Sequence, residues 1–406
     1  IQTGQRGNGF LRILPVLLAL AAIPAGAAPP ATVAVAFDRQ QVHPVLAEGE
    51  ADRATHRLVT ADDPVRIASV SKLVTTLGVM RLVDQGRLSL DRDVSHYLGF
   101  AVRNPAFPDR PITLRLLLSH QSSLIDGDDL YLIPLGATLR QRLADPRVWD
   151  SAHAPGSGWF HYTNLNFPVV ASVIERATGE RFDVAMSRLV LKPLKLDACF
   201  NWGAGCSADA FRRAVVLYRA SGEVARDDLH GAPPACPVLT EPGAPCDLSA
   251  YRLGDNGALF SPQGGLRISM RDLARIGQLL ANRGRGLISA RAFAEMTRPQ
   301  WRFDGSNGLG EDGTANGFFC AYGLALQTIG APGPGCHDDL FGDARQRIGH
   351  SGDAYGLKAG LWLDPRTGKG VAFFTSAVAA DAPAGKSAFT AAEESVVERA
   401  SRAAFR

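Results

Sequence analysis

The sequence predicts an α/β fold in which an antiparallel sheet, flanked by helices, is interrupted by a helical insertion. Strand-like segments occur near both ends of the 406-residue chain, and the long middle region is mostly helical and rich in loops. Neither end has enough strands to form a sheet alone, so we expect the two ends to pair. The expected α/β domain comprises residues 28–92 and 300–406, and the expected insertion comprises residues 93–299.

The first part of the α/β domain contains two strand-like segments and a helix. Residues 32–40 (TVAVAFDRQ) are rich in β-branched and apolar side chains, and the following segment, VHPVLAEGEAD, is expected to pair with them. Apolar residues then recur at helical spacing over residues 66–86, and Gly86 is a typical helix stop. This helix is apolar on several sides, which predicts that it is buried.

The remaining elements follow from the same patterns. Further helices are predicted over residues 112–120, 167–180, 269–284 and 391–405. Ser269 is a good N-cap for the third of these helices. Strands are predicted over residues 347–352, 357–365 and 368–378.

The N-terminal residues have the order of charge and hydrophobicity typical of a secretory signal peptide. Arg6 and Arg12 precede an apolar run, Ile13–Ile23, and Ala25-Gly26-Ala27 provides a small-residue cleavage site. The alternative is a membrane anchor, but this run is too short to cross about 30 Å of hydrocarbon, which takes roughly 20 residues. We therefore predict a signal peptide over residues 1–27, no stable membrane anchor, and a secreted or periplasmic protein.

Composition narrows the class of function. Hydrophobic residues make up 46% of the chain and charged residues 20%, as expected of a globular protein with a substantial core. The net charge of +3 is too small to suggest a nucleic-acid-binding protein, which would carry a clustered basic face. No nucleic acid partner is therefore expected.

The six cysteines fall into three close pairs, each in a stretch that contains Gly or Pro. Local disulfides that stabilise long surface loops are the simplest interpretation, and they agree with export. A metal site would need cysteine and histidine at closer spacing, so no metal is expected. The expected disulfides join Cys199 to Cys206, Cys236 to Cys246 and Cys320 to Cys336.

Ser69 and Lys72 form an S-x-x-K pair at the start of the predicted buried helix. Residues three apart share a helix face, so the hydroxyl and the amine can touch. A serine hydroxyl needs a base to become a good nucleophile, and a lysine amine can serve if its surroundings favour the neutral form. Taken alone, the pair is also compatible with two ordinary helix residues.

Two shorter motifs follow later in the chain. Tyr162 and Asn164 form Y-x-N, in which the phenol could transfer a proton and the amide could position the lysine or an acyl carbonyl. A simple helix-start turn explains the same residues. His350 and Gly352 form H-x-G at a predicted strand, where Gly allows close approach of a substrate. A strand-end histidine beside a turn glycine is the alternative.

The three motifs occur once each, in order, and each on the element that its chemistry needs. Together they resemble the serine β-lactamase-related hydrolases, the group of class C β-lactamases, D-Ala-D-Ala carboxypeptidases and esterases. The related S-x-x-K and K-T-G set is found in class A β-lactamases and penicillin-binding proteins. The resemblance extends over roughly residues 32–378 and implies a β-lactamase/penicillin-binding-protein-like transpeptidase fold, with no cofactor.

The resemblance implies a role for each motif residue. Ser69 would be the acylated nucleophile, Lys72 its base or proton relay, and Tyr162 the second proton-transfer group. Substrate contacts would come from Asn164, His350, Ser351, Gly352 and Asp353, with the N–H groups of Ser69 and Asp353 as the oxyanion hole. The implied substrate is a small-molecule or peptidoglycan-type amide or ester.

Two departures from the β-lactamase pattern bear on the substrate. His350 stands where class C β-lactamases carry a lysine, and histidine is neutral more often near pH 7. Asp353 would repel a carboxylate if its side chain faced the cleft. Both favour a peptidase or esterase over an efficient β-lactamase. A β-lactam sensor that stays acylated, or a member of the fold that has lost catalysis, are the alternatives.

Three further residues are weighed from their positions. Trp159 precedes Tyr162 by three residues and lines either the cleft or the core. Tyr355 follows Asp353 by two residues and could face the same side of the strand; an exposed loop position is equally plausible. His120 is expected to close the helix that precedes it.

Overall fold

The computed structural model describes residues 29–310 and 313–404. The signal peptide predicted over residues 1–27 lies outside the described residues. The strands are β1 Thr32–Phe37, β2 Val42–Glu48, β3 Glu50–Asp52, β4 Arg57–Leu58, β5 Val65–Arg66, β6 Phe160–His161, β7 Cys199–Phe200, β8 Leu217–Tyr218, β9 Val224–Arg226, β10 Leu266–Ile268, β11 Trp301–Arg302, β12 Gly308–Leu309, β13 Ala321–Tyr322, β14 Gln327–Ile329, β15 Arg347–Ala354, β16 Leu357–Asp364 and β17 Lys369–Thr375.

The helices lie between and after these strands. They are α1 Val70–Asp84, α2 Ser95–Leu98, α3 Leu114–Leu118, α4 Leu139–Leu143, α5 Asn166–Thr178, α6 Phe182–Met186, α7 Ala208–Arg213, α8 Met270–Ala281, α9 Ala290–Thr297 and α10 Ala391–Ala404. Short 3₁₀ and π segments occupy Pro146–Val148 and Ser187–Leu191. Among the described residues, no helix is long and apolar enough to cross a membrane.

An eight-stranded sheet joins the two ends of the chain. Its order is β11-β13-β14-β15-β16-β17-β1-β2, and each neighbouring pair is antiparallel. Strand β1 pairs with β17 from Thr32 opposite Thr375 to Phe37 opposite Gly370. The predicted α/β fold, with an antiparallel sheet completed by both ends of the chain, is therefore confirmed.

Helices cover both faces of this sheet. Helix α8 packs on β1 and β17, and a Cβ at its Gly277 would lie 2.3 Å from the ring of Phe37, so glycine permits this close approach. Helix α10 covers the opposite face, where its Val396 and Val397 join Trp362 in a separate apolar cluster. Ser269 caps α8 by accepting a hydrogen bond from the N–H of Asp272, as predicted.

Helix α1 is buried along most of its length, in agreement with its apolar pattern. It contacts β15, β16, α5 and α9, and so lies between the sheet and the helical part of the chain. A small sheet of order β5-β10-β7 lies beside the start of α1 and includes Arg66. This arrangement brings residues from both parts of the chain to the N-terminal end of α1.

The division into an α/β domain and an insertion over residues 93–299 remains a proposal. The packing of α8 on the sheet places residues 270–281 with the α/β layer, although they fall inside the range predicted for the insertion. Periodicity predicted this helix but could not tell which neighbour its apolar face would cover. The structure joins the six cysteines as Cys199–Cys206, Cys236–Cys246 and Cys320–Cys336.

Candidate active site

Ser69 stands immediately before α1 and is half-buried. Although serine is a favoured N-cap residue, its side chain makes no capping hydrogen bond here. Its Oγ instead lies 2.8 Å from Nζ of Lys72. The N–H of Ser69 belongs to the end of the helix where backbone donors lack intrahelical acceptors, which favours a developing negative charge.

Lys72 is fully buried, and its amine is held by fixed acceptors. Nζ donates to Oδ1 of Asn164 at 2.8 Å and to the backbone carbonyl of Gln263 at 3.1 Å. Both oxygens can only accept, whereas the hydroxyl of Ser69 can accept or donate. A neutral Lys72 would therefore use two N–H groups on the fixed acceptors and could turn its lone pair toward Ser69. This is the geometry of a general base.

Asn164 is oriented by a carboxylate that sequence analysis missed. Its Nδ2 donates to Oδ2 of Asp126 at 2.9 Å, so its Oδ1 faces Lys72. Asp126 also accepts from the backbone N–H groups of Asn164 and Leu165, each at 2.9 Å. Burial raises the pKa of Asp126, and these hydrogen bonds oppose that rise. Asp126 precedes a glycine, a common turn pattern, so its sequence context pointed to a loop rather than to the site.

Tyr162 lies against the amine of Lys72, and 3% of its surface is exposed. Nζ of Lys72 is 4.8 Å from the centre of the phenol ring. The ring stacks on His120 at 4.4 Å and on Phe319 at 4.7 Å between centroids. The Y-x-N motif thus places an aromatic ring and an amide beside the same amine. The proton-transfer role of the Tyr162 hydroxyl stays a prediction.

His120 is a supporting residue beneath Tyr162. It follows the end of α3 with a φ of 55° and is 1% exposed, which agrees with the predicted helix-closing position. Its Nδ1 accepts a hydrogen bond from the backbone N–H of Thr163 at 3.0 Å. This bond joins the turn after α3 to the Y-x-N segment. Burial, with the nearby charge of Lys72, lowers the pKa of His120 well below its usual value, and the ring is neutral.

His350 is fully buried and lies in the same aromatic layer. Its Nδ1 is 2.5 Å from the carbonyl of Ser351, which can only accept, so Nδ1 carries the proton. Its Nε2 therefore accepts from the hydroxyl of Tyr322 at 2.7 Å. Burial, and then the charge of Lys72, lower the pKa of His350 to about 3. We therefore propose that neutral His350 positions strand β15, rather than contacting substrate as the resemblance implied.

Gly352 brings β15 close to the nucleophile segment. A Cβ at this position would lie 2.4 Å from the carbonyl oxygen of Ile67, so another residue would push the strand away from α1. Gly352 allows β15 to approach the segment that carries Ser69. From the sequence we expected it to allow a substrate to approach the strand. Gly352 thereby sets the distance between Ser69 and the strand.

The β15–β16 hairpin determines the direction of the Asp353 N–H group. Tyr355 and Gly356 form a two-residue loop with φ of 57° and 77°, typical of a type I′ turn. The loop closes on the pair Ala354–Leu357, and hydrogen-bonded pairs alternate along the hairpin. Asp353 falls at a non-hydrogen-bonded position, so its N–H points away from β16. This direction fits the expected oxyanion-hole role.

The side chains of Ser351 and Asp353 have partners within the protein. The carboxylate of Asp353 is 2.5 Å from Nζ of Lys358 on the neighbouring strand and is mostly exposed. The hydroxyl of Ser351 is 3.4 Å from Oε1 of Gln327. Their side chains alternate with those of His350 and Gly352 along β15. The carboxylate of Asp353 therefore does not face the cleft, and it is not placed to repel a carboxylate on the substrate.

No group of three or more His, Cys, Asp or Glu side chains suited to hold a metal occurs in residues 29–310 and 313–404.

The family model described as Beta-lactamase matches residues 19–393. The chain belongs to the Beta-lactamase family. Membership makes it a serine hydrolase that acts on an ester or an amide bond, and the family resemblance drawn from the motifs is confirmed.

Individual relatives within and around this family differ in activity. Esterase EstB of Burkholderia gladioli is 32% identical over 301 residues, which cover 67% of this chain and 73% of the esterase. The D-alanyl-D-alanine-carboxypeptidase/endopeptidase AmpH of Escherichia coli is 31% identical over 39% of this chain and 41% of its own length. The match to the carboxypeptidase therefore spans less than half of that relative.

Solved structures confirm the fold over nearly the whole chain. D-amino acid amidase from Ochrobactrum anthropi SV3 has a TM-score of 0.63 and 18% sequence identity, covering 93% of this chain and 94% of the amidase. The penicillin-binding protein homologue from Pyrococcus abyssi has a TM-score of 0.59 and 20% identity, covering 86% of this chain and 70% of its own. At these identities the likeness concerns the fold.

Proposed function

We propose that this protein is an exported esterase that hydrolyses carboxylic esters through an acyl-enzyme on Ser69. The observation that carries the proposal is the 2.8 Å contact between Oγ of Ser69 and the fully buried amine of Lys72. A nucleophile within hydrogen-bond reach of a base that is itself oriented by a third group is the arrangement required for covalent catalysis. Asn164 is that third group.

The proposed reaction has two steps. Oγ of Ser69 attacks the ester carbonyl while its proton passes to Nζ of Lys72, and the N–H groups of Ser69 and Asp353 stabilise the oxyanion. The C–O bond to the alcohol then breaks, and the alcohol leaves with a proton delivered through Lys72 and Tyr162. Water next attacks the acyl carbonyl and gives a proton to the same pair. The bond between the acyl carbon and Oγ then breaks, Oγ of Ser69 takes that proton back, and the acid leaves.

Two observations support esters as the substrate class. EstB, an esterase, is similar to two thirds of this chain. His350, which occupies the position of the β-lactamase lysine, is buried and neutral, so this position offers no cation to a β-lactam carboxylate. Export is supported by the three disulfides, which are typical of oxidising compartments, and by the signal-like residues 1–27.

The test is pre-steady-state kinetics with three substrates, namely p-nitrophenyl butyrate, nitrocefin and a D-Ala-D-Ala peptide. We expect a burst of one p-nitrophenol per Ser69 followed by steady turnover of the ester. Steady turnover of the peptide, with slow ester hydrolysis, would favour a carboxypeptidase instead. A nitrocefin burst without turnover would indicate a β-lactam sensor, and no burst with any substrate would overturn the proposal.

A further inference from the structure

A group of cationic and aromatic side chains surrounds Tyr355, outside the residues assigned to the reaction. The guanidinium carbon of Arg66 lies 5.1 Å from the centre of the Tyr355 ring, and that of Arg226 lies 4.9 Å from it. Nη2 of Arg226 also donates to the hydroxyl of Tyr355 at 3.2 Å. The hydroxyl proton of Tyr355 has no acceptor among the described residues.

The one carboxylate in this group is already paired. Asp227 accepts two hydrogen bonds from Arg267, at 2.8 Å and 3.1 Å, and both side chains are nearly fully buried. The indole of Trp202 also donates to Asp227 at 2.9 Å. The pKa of Asp227 is lowered because the charge and hydrogen bonds of Arg267 outweigh the effect of burial. The charge of Asp227 also acts on Arg66, so this single carboxylate is shared between its partner Arg267 and Arg66.

With Arg66 and Arg226 added to the Arg267–Asp227 pair, the group carries a net positive charge. Neither Arg66 nor Arg226 makes an ion pair in the part of the chain that the structure describes. Arg66 makes only long contacts, Nη1 to Asn201 at 3.5 Å and Nη2 to Ser261 at 3.3 Å. Its Nε is buried and has no hydrogen-bond partner among the described residues. A buried donor without an acceptor is costly unless a ligand supplies one.

This group lies next to the nucleophile. Arg66 precedes Ser69 by three residues, and Tyr355 follows the oxyanion-hole residue Asp353 by two. Ser261, which contacts Arg66, also accepts a hydrogen bond from the side chain of Gln263 at 3.0 Å. The carbonyl of Gln263 in turn accepts from Lys72. Arg66 is thereby linked to Lys72 through Ser261 and Gln263, and Arg226 is linked to Arg66 through the ring of Tyr355.

We propose that Arg66, Arg226 and Tyr355 form a subsite for a carboxylate carried by the substrate. Guanidinium groups bind planar carboxylates through paired N–H donors. The hydroxyl of Tyr355 would add an O–H donor to those of the two arginines. The inference rests on the proposed function and narrows it, because the preferred substrates would be monoesters of dicarboxylic acids. Arg267 and Asp227 form the base of the subsite.

The test compares two p-nitrophenyl esters of similar length, the anionic hemiglutarate and the neutral valerate, in R226Q and in R219Q. Arg226 ends β9 and Arg219 lies in the turn between β8 and β9, and both side chains are exposed. The two variants lose the same charge, but Arg219 pairs with Glu223, whereas Arg226 donates to Tyr355. We expect the ratio of kcat/KM for the anionic over the neutral ester to fall about tenfold in R226Q. The ratio should stay within about twofold in R219Q.

A binding measurement separates failure of the subsite from failure of the proposed function. Monomethyl glutarate is titrated into S69A and into S69A/R226Q by calorimetry. We expect about tenfold weaker binding to the double variant. An unchanged ratio and unchanged binding in R226Q, or equal losses in R226Q and R219Q, would overturn the subsite. Absence of turnover with both esters, with binding still dependent on Arg226, would overturn the esterase proposal alone.

Discussion

Oγ of Ser69 and Nζ of Lys72 lie 2.8 Å apart at the start of α1, and Lys72 is buried from solvent. The hydroxyl is therefore paired with the amine instead of capping the helix. This contact joins the nucleophile to Asn164 and, through it, to Asp126.

Replacing Ser69 by Ala should abolish acylation, because it removes the hydroxyl that contacts the buried amine of Lys72 and that we propose forms the acyl bond. Intact-mass spectrometry after treatment with a fluorophosphonate probe measures this. S71A is the matched control, since Ser71 is buried in α1 and its hydroxyl accepts from the N–H of Leu266. Labelling of S69A at the wild-type rate would disprove the assignment.

Replacing Asp126 by Asn should lower kcat about 10- to 100-fold while the protein remains folded. The new amide keeps a single acceptor oxygen, so it would present an N–H donor either to Asn164 or to the N–H of Leu165. The segment that turns the oxygen of Asn164 toward Lys72 would then lose part of its support. D128N is the control, because Asp128 is exposed in the same loop. Equal activity of the two variants would show that Asp126 does not orient Asn164.

Replacing His350 by Lys should destabilise the protein by at least about 3 kcal/mol, since a buried cation would face Lys72 without a carboxylate partner. Denaturant unfolding monitored by fluorescence measures this change. Because class C β-lactamases carry a lysine at this position, the resemblance alone would predict a selective gain for carboxylate-bearing substrates. A stable H350K protein with such a gain would show that position 350 faces the substrate.

The stability contributed by Glu175 should fall as pH rises from about 4.5 to about 7. Burial raises the pKa of this α5 carboxyl from 4.5 to about 7, so the folded state binds its proton more tightly than the unfolded state does. The protonated form stabilises the protein below pH 4.5, and up to about 3 kcal/mol is lost by pH 7 and above.

The E175Q variant tests this pH dependence, because glutamine keeps the shape of the neutral acid. The difference in unfolding free energy between E175Q and wild type should grow in favour of E175Q across that range. The amide would, however, place an N–H either against the N–H of Phe182 or against Tyr251 and the N–H of Gly254, all of which now donate to Glu175. A constant offset is therefore also expected. A difference that does not vary with pH would contradict the raised pKa.

Removing the Cys236–Cys246 disulfide with a double serine variant should cost about 2–3 kcal/mol without loss of the fold, because it closes a short local loop. Thermal unfolding measures the loss, and esterase activity reports the fold. Non-reducing peptide maps should show the three local pairs. Crossed pairs or free thiols would contradict this arrangement and weaken the argument for export.

Much of the fold could be predicted from local patterns. The spacing of apolar residues predicted α1, α5, α8 and α10, and the strand-like segments joined by short turns near the C-terminus predicted β15, β16 and β17. These patterns are reliable because one face or all faces of each element must be buried. The S-x-x-K spacing likewise determined the contact of Ser69 with Lys72, because residues three apart on a helix are neighbours.

The tertiary structure decided what surrounds that contact. The sequence around Asp126 is typical of a turn. In the folded protein its carboxylate accepts a hydrogen bond from the side chain of Asn164, which lies 38 residues further along the chain. His350 is neutral because it is buried, and Tyr322 and Tyr162, which lie in other segments of the chain, pack around it. Arg66 and Arg226 meet at Tyr355 through contacts that no local pattern encodes. Sequence spacing determines which neighbours share one helix or strand, whereas the charge and reach of each side chain depend on packing between distant segments.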